Sequence, residues 1–162
     1  MEKAIIYARI TSQYSNIDTK INILTNYCSN KKLSIIKEYS ICAKRKTTRH
    51  IKNLYQEIKA IPDEHINLVV CSIKNFLPNI ETLKLFDNLV KTGKVSLHFC
   101  KENLIYNSQT PASEIARLKI ATLVYQYHNI QDMPQDKLQD IADQIYITLM
   151  QENIKSNILK NQ

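Results

Sequence analysis

The sequence predicts an α/β domain: a mainly parallel sheet of four to five strands between helices, three layers in all, followed by C-terminal helices. Short runs rich in β-branched residues alternate with longer segments whose apolar residues recur every three or four positions. One run, residues 68–73 (LVVCSI), is apolar almost throughout, as in a strand covered on both faces. The only glycine, Gly93, falls where a helix must stop before the next strand.

Taken in order, residues 3–10 (KAIIYARI) read as the first strand, ended by the hydroxyls Thr11 and Ser12. Ile17, Ile21, Leu24 and Cys28 mark one face of a first helix, with Asn16 or Ser15 as its cap. Residues 33–39 give a second strand, and Ile51, Leu54, Tyr55 and Ile58 a second helix. After the strand at 68–73, Ile80, Leu83, Phe86 and Val90 define a third helix, closed by Lys91-Thr92-Gly93-Lys94 with the glycine left-handed. Residues 95–100 form a further strand. Thr110 as cap and Pro111 at the first helical position open a helix to about residue 129, with Ile115, Leu118, Thr122 and Tyr125 on one face. Asp132 and Pro134 start another, whose stripe of Leu138, Ile141, Ile145 and Leu149 continues into Ile154 and Ile158. That stripe either packs on the domain or forms an oligomer seam.

Composition narrows the function classes. With 44% apolar residues, 162 residues suffice for one well-packed domain. No apolar run approaches the roughly 20 residues that cross a bilayer, and Met1-Glu2-Lys3 leads into a strand without secretory features, so a soluble cytoplasmic protein without a membrane partner is expected. Cys28, Cys42, Cys71 and Cys100 are scattered without a C-x-x-C pair, which argues against zinc and for buried free thiols; no metal and no cofactor is expected. The net charge is +7; residues 129–162 hold three Lys against five Asp and Glu, so the body carries all of the excess. Such a body attracts phosphate backbones, or is simply a Lys-rich solvated surface. Residues 41–50 (ICAKRKTTRH) form a basic loop with Lys44, Arg45, Lys46, Arg49 and His50.

Parallel α/β sheets place their active sites at the carboxyl ends of the strands. Thr11 and Ser12 follow the first strand, and Lys74 and Asn75 follow the third, so both segments face one crevice. Several phrases there and beyond resemble the catalytic domain of the serine recombinases, the resolvase and invertase family. Tyr7-Ala8-Arg9-Ile10-Thr11-Ser12 is similar to its first-strand phrase Y-A-R-V-S, and Asn16-Ile17-Asp18 with Ile21 and Leu24 to its first helix. Lys91-Thr92-Gly93-Lys94-Val95 resembles its turn before a strand, and Glu102-Asn103-Leu104 the phrase after that strand. Thr110-Pro111-Ala112 with Ile120-Ala121-Thr122-Leu123 resembles the start and body of its long oligomerising helix. The likeness spans about residues 3–128 and implies a resolvase-like domain over 1–129, with 130–162 a helical extension that carries no DNA-reading domain.

In that family the first-strand serine attacks a DNA phosphate, and arginines stabilise the charge that develops on the nonbridging oxygens. The resemblance therefore implies Thr11, with Ser12 beside it, as nucleophile and Arg9 as a residual catalytic cation; Arg9, Arg45, Arg49 and Lys74 would meet the phosphate backbone. Two departures weaken the site. Thr11 carries a methyl on its hydroxyl-bearing carbon, which stiffens χ1 and crowds attack. The family's D-R-x-x-R element reads Lys74-Asn75-Phe76-Leu77-Pro78, which keeps neither arginine. Each such donor is worth about 3 kcal/mol, so losing two slows the step by at least about 10⁴-fold. Lys20 stands for a first-helix glutamine, and Tyr127-His128 for a glutamate and an arginine. The expected function is that of a DNA-recombination protein with an impaired centre, acting as a DNA-associated or oligomerising module; the alternative is active strand exchange through a covalent Thr11 or Ser12 link. Partners expected are DNA, weakly or non-specifically bound, and a second copy through the C-terminal helices.

Overall fold

In the computed structural model, residues 1–10, 16–42, 49–76, 80–126 and 134–161 are described. β1 (Glu2–Ile10) is apolar on both faces and becomes a central strand, buried from Ala4 to Ile10. α1 (Ile17–Asn30) follows, its first turn capped by Asn16, whose Oδ1 accepts from Asp18 N at 2.9 Å. β2 (Leu33–Cys42) runs three residues beyond expectation and forms one edge of the sheet. α2 (Arg49–Ala60) buries Ile51, Leu54 and Ile58, the expected stripe. β3 (Ile66–Val70) is next, then the four-residue helix α3 (Ile73–Phe76), α4 (Ile80–Lys91), β4 (Val95–Phe99) and β5 (Leu104–Tyr106). α5 (Ala112–Gln126) and α6 (Gln135–Lys160) complete the chain.

The strand order is β2-β1-β3-β4-β5, parallel except for the antiparallel β5. This is the α/β, mainly parallel, three-layer architecture expected. Side chains alternate across the sheet, so each strand feeds two cores. Ile5, Tyr7, Leu68, Val70, Leu97 and Phe99 face the larger one, under α2, α3, α4 and α5. Ala4, Ile6, Ala8 and Val69 face the smaller, under Leu24 and Cys28 of α1. α6 packs along α5.

The β1–β2 register shifts between Ala4 and Ile5: Ala4 pairs with Ile35, Ile5 with Lys37, and Ile36 is left over as a bulge. Gly93 takes φ +76° at the end of α4, as its place after that helix predicts.

Three expectations are corrected. The third strand ends at Val70, not at 73: Cys71 and Ser72 turn the chain and Ile73 opens α3, because an apolar run reads alike in a buried strand and a buried helical turn. Thr110 is not the cap of α5. Its hydroxyl accepts from Asn107 N and donates to Ile105 O, while the Pro111 carbonyl accepts from Glu114 N and Ile115 N, so Pro111 precedes the helix as its capping residue. Cys42, at the end of the edge strand, is exposed, whereas Cys28 is buried and Cys71 and Cys100 are half-buried; all four are free. Along α6, Leu138 and Ile145 are half-buried and Ile154 and Ile158 exposed; the side chains of Ile141 and Leu149 lie outside the described residues, as do Tyr127, His128 and Asp132. No helix among the described residues is long and apolar enough to cross a membrane.

Candidate phosphoryl-transfer site

Arg9 arrives at the carboxyl edge of the sheet on the penultimate residue of β1, 5% exposed, on the face it shares with Tyr7. Burial raises the Tyr7 phenol, and the Arg9 guanidinium pulls the other way. Lys20, from the first turn of α1, donates Nζ to the Arg9 carbonyl at 2.7 Å. The Cys71 thiol in turn donates to the Lys20 carbonyl at 3.9 Å, so the ends of β1 and β3 are joined through α1. One lysine donor is used in this way, and the ammonium stands at the point where the chain leaves β1 for residues 11–15.

After β3, Ser72 accepts from Asn75 N through its hydroxyl at 3.4 Å and from Phe76 N through its carbonyl at 3.3 Å, which folds the segment into α3. Glu102, on the turn between β4 and β5, accepts from Ile73 N at 3.2 Å and holds the start of that helix. The turn sends Phe76 inward. Its ring is fully buried, edge-on to Tyr7 at 5.5 Å and to Phe86 at 5.4 Å. Lys74 points to solvent and Asn75 is half-buried. An aromatic anchor therefore occupies the segment in which the sequence comparison expects paired arginines.

Of the residues singled out from sequence, the structure brings Arg9 to the carboxyl edge and sets Lys74 on the first segment beyond β3. Arg49 opens α2 and is exposed. Thr11, Ser12 and Arg45 lie outside the described residues. The thiols near the edge do not supply a nucleophile: burial pushes Cys28 up to about 11 and Cys100 up to about 12, the latter with the neighbouring Cys71, Cys28 and Glu102 adding to it. Cys71 is raised by burial as well, against the pull of Lys20.

Two contacts are not legible in the sequence. Lys20 is marked there only as standing for a first-helix glutamine, and folding is what binds it to Arg9 O. Glu102 had a signal, its phrase Glu102-Asn103-Leu104, but its bond to Ile73 N spans 29 residues.

Among the described residues, this edge offers the buried Arg9 guanidinium, the Lys20 ammonium bound to the backbone and the solvent-facing Lys74.

No family model and no curated protein matches the sequence. Solved structures do. The chain is similar to the N-terminal catalytic domain of TP901-1 integrase, with a TM-score of 0.57 and 16% identity over 82% of this chain and 100% of that one. It is also similar to a resolvase family site-specific recombinase from Streptococcus pneumoniae, with a TM-score of 0.60 and 17% identity over 86% of this chain and 98% of that one. From β1 to α5 and beyond, this chain has the fold of a serine-recombinase catalytic domain.

Proposed function

We propose that the domain is a DNA-associated assembly module on a recombinase scaffold, with a phosphoryl-transfer centre too poor in cations for efficient strand exchange. The observation that carries this reading is the fate of the segment after β3: Phe76 is committed to the core, and by the sequence resemblance Asn75 and Pro78 stand in place of the two arginines, with Lys74 in place of the aspartate. The charge of +7, with Arg49 exposed at the start of α2 and the basic run Lys44-Arg45-Lys46 shortly before it in the sequence, supports attraction to a phosphate backbone. Assembly is supported by the apolar face of α6. Ile147, Met150, Ile154 and Ile158 are 51%, 43%, 55% and 53% exposed on a 26-residue helix, and a second copy would cover them.

The decisive experiment is incubation with a nicked suicide DNA duplex, followed by denaturing electrophoresis and filter binding over a salt series. The module reading expects no covalent adduct and an affinity that falls steeply with salt, with a log–log slope of about −0.9 per phosphate contacted. An adduct lost in the Thr11→Ala, Ser12→Ala double variant would instead establish strand-exchange chemistry, with Arg9 and Lys20 as its cations. Failure to bind DNA at any salt concentration would refute both.

A further inference from the structure

A second polar site lies at the opposite, amino-terminal edge of the strands, on the sheet face that α1 leaves partly open. There a groove of about 430 Å³ is lined by Glu2, His65, Asn67, Ser96, His98 and Asn107, among others. Asn67, Ser96 and His98 interrupt otherwise apolar strands at alternate positions, so all three share this face. They are 3%, 6% and 5% exposed, a buried polar cluster.

The hydrogen bonds assign the proton positions. His65 Nδ1 lies 2.7 Å from the Gly93 carbonyl, which can only accept, so Nδ1 carries the proton. His65 Nε2 is then the acceptor for Ser96 Oγ, 3.1 Å away. A hydroxyl, an imidazole acceptor and a carbonyl that orients the imidazole form the sequence of nucleophile, general base and orienting group. The carbonyl is itself fixed: Gly93 ends α4, Gly93 N donates to Val90 O at 3.0 Å, and Ile66 N donates to Lys94 O at 3.0 Å beside it. The other imidazole of the groove is committed, His98 Nδ1 to Tyr27 Oη at 3.0 Å and Nε2 to Asn67 Oδ1 at 2.9 Å. Among the described residues, His65 is the base placed to take a proton from Ser96.

We propose that Ser96 and His65 form an acyl-transfer site for small polar esters. The volume lies at the lower end of the range of small-molecule pockets, about 300–1,000 Å³, and suits a short acyl chain. Ser96 Oγ attacks the ester carbonyl carbon as its proton passes to His65 Nε2. The C–O bond to the alcohol then breaks, and the leaving alkoxide takes that proton. Water, deprotonated by His65, attacks the acyl-serine; the carboxylic acid leaves and Ser96 regains its proton. Asn107, whose Oδ1 accepts from Gln109 N at 2.9 Å, keeps its amide nitrogen as the donor for the oxyanion.

The test is labelling of the full chain by a fluorophosphonate probe, located by peptide mass spectrometry, with p-nitrophenyl acetate hydrolysis as second readout. The expected result is a single adduct on Ser96, absent in Ser96→Ala, with the labelling rate reduced about 10²-fold or more in His65→Ala. Circular dichroism melting checks that the variants fold; His65 is exposed and Ser96→Ala removes one oxygen. No adduct on the folded protein, an adduct on Ser12 or another serine, or equal labelling of wild type and His65→Ala would overturn the proposal. None of these results depends on DNA binding.

Discussion

The buried imidazole of His98 should make the fold sensitive to mild acid. Burial is the main cause of its depression to about 4; Lys31 adds to it, Glu2 opposes it and His65 adds further. Its neutral form also fits the hydrogen bonds, because Asn67 donates its amide to Glu2 Oε2 at 3.1 Å and to Lys3 O at 3.2 Å and so presents its oxygen to His98 Nε2–H. The unfolded chain binds the proton near 6.5 and the folded chain only near 4. The stabilisation is therefore fully present above about pH 6.5 and is lost as the pH falls towards 4. Integrating the difference gives a loss of about 2 kcal/mol at pH 5 and about 3 kcal/mol at pH 4. Urea unfolding at pH 7, 6, 5 and 4 measures it, with His98→Asn as comparison so that carboxylate contributions cancel. Asp87, held below the usual carboxylate range by hydrogen bonds from Lys91 and Tyr106 against the opposing effect of burial, loses its contribution only below about pH 4. If wild type and His98→Asn fall in parallel between pH 6.5 and 4, the buried neutral imidazole is not the cause and the reasoning fails.

Other perturbations follow from single contacts. Phe76→Ala removes the ring shared by Tyr7, Phe86 and Phe99 and should cost about 3–5 kcal/mol in urea unfolding; a loss below about 1 kcal/mol would show that α3 is not anchored through this ring. Gly93→Ala meets no neighbour within 4 Å, so only its φ of +76° opposes the substitution, at about 1–2 kcal/mol of unfolding free energy. At pH 8, iodoacetamide should modify the exposed Cys42 well before Cys28 and Cys100, whose thiols are pushed up to about 11 and about 12; mass spectrometry of tryptic peptides reads the order. Light scattering at tens of micromolar should give a dimer, reduced to monomer by Ile154→Lys with Ile158→Lys; a wild-type monomer would remove α6 as an assembly surface.

Local signals carried most of the fold. The stripe Ile17, Ile21, Leu24, Cys28 became the inner face of α1, and Gly93 took the left-handed conformation its place demanded, because both depend on neighbours a few residues away. Strand β5 went unread: at three residues it has no period, and pairing with β4 creates it. The end of β3 was misplaced for a related reason, since Cys71 and Ser72 turn only because Glu102 and Ser72 satisfy the amides of α3. The first-strand phrase correctly marked the carboxyl edge, and Arg9 reaches it. Lys20 on the Arg9 carbonyl and Phe76 in the core depend on contacts between distant segments, which periodicity does not encode. The groove at the other edge did leave a trace, the alternating Asn67 and the Ser96, His98 pair, but a polar residue in a strand reads equally well as solvent-facing until the neighbouring strands are known.

The surplus residue Ile36 decides which way the rest of β2 faces. Below it Leu33 looks towards α1; beyond it Tyr39 and Ile41 sit level with Tyr7 and Arg9 and pack on the larger core. Were Ile36 to pair with Ile5 instead of bulging out, everything after it would slip by one residue, turning Glu38 and Ser40 inward and the two apolar side chains out. The same kink spoils this border for a further strand, since an incoming chain would have to copy the irregularity to stay in phase. A single unpaired isoleucine thus serves both as the phase setting of the strand that flanks Arg9 and as a guard against edge-to-edge aggregation.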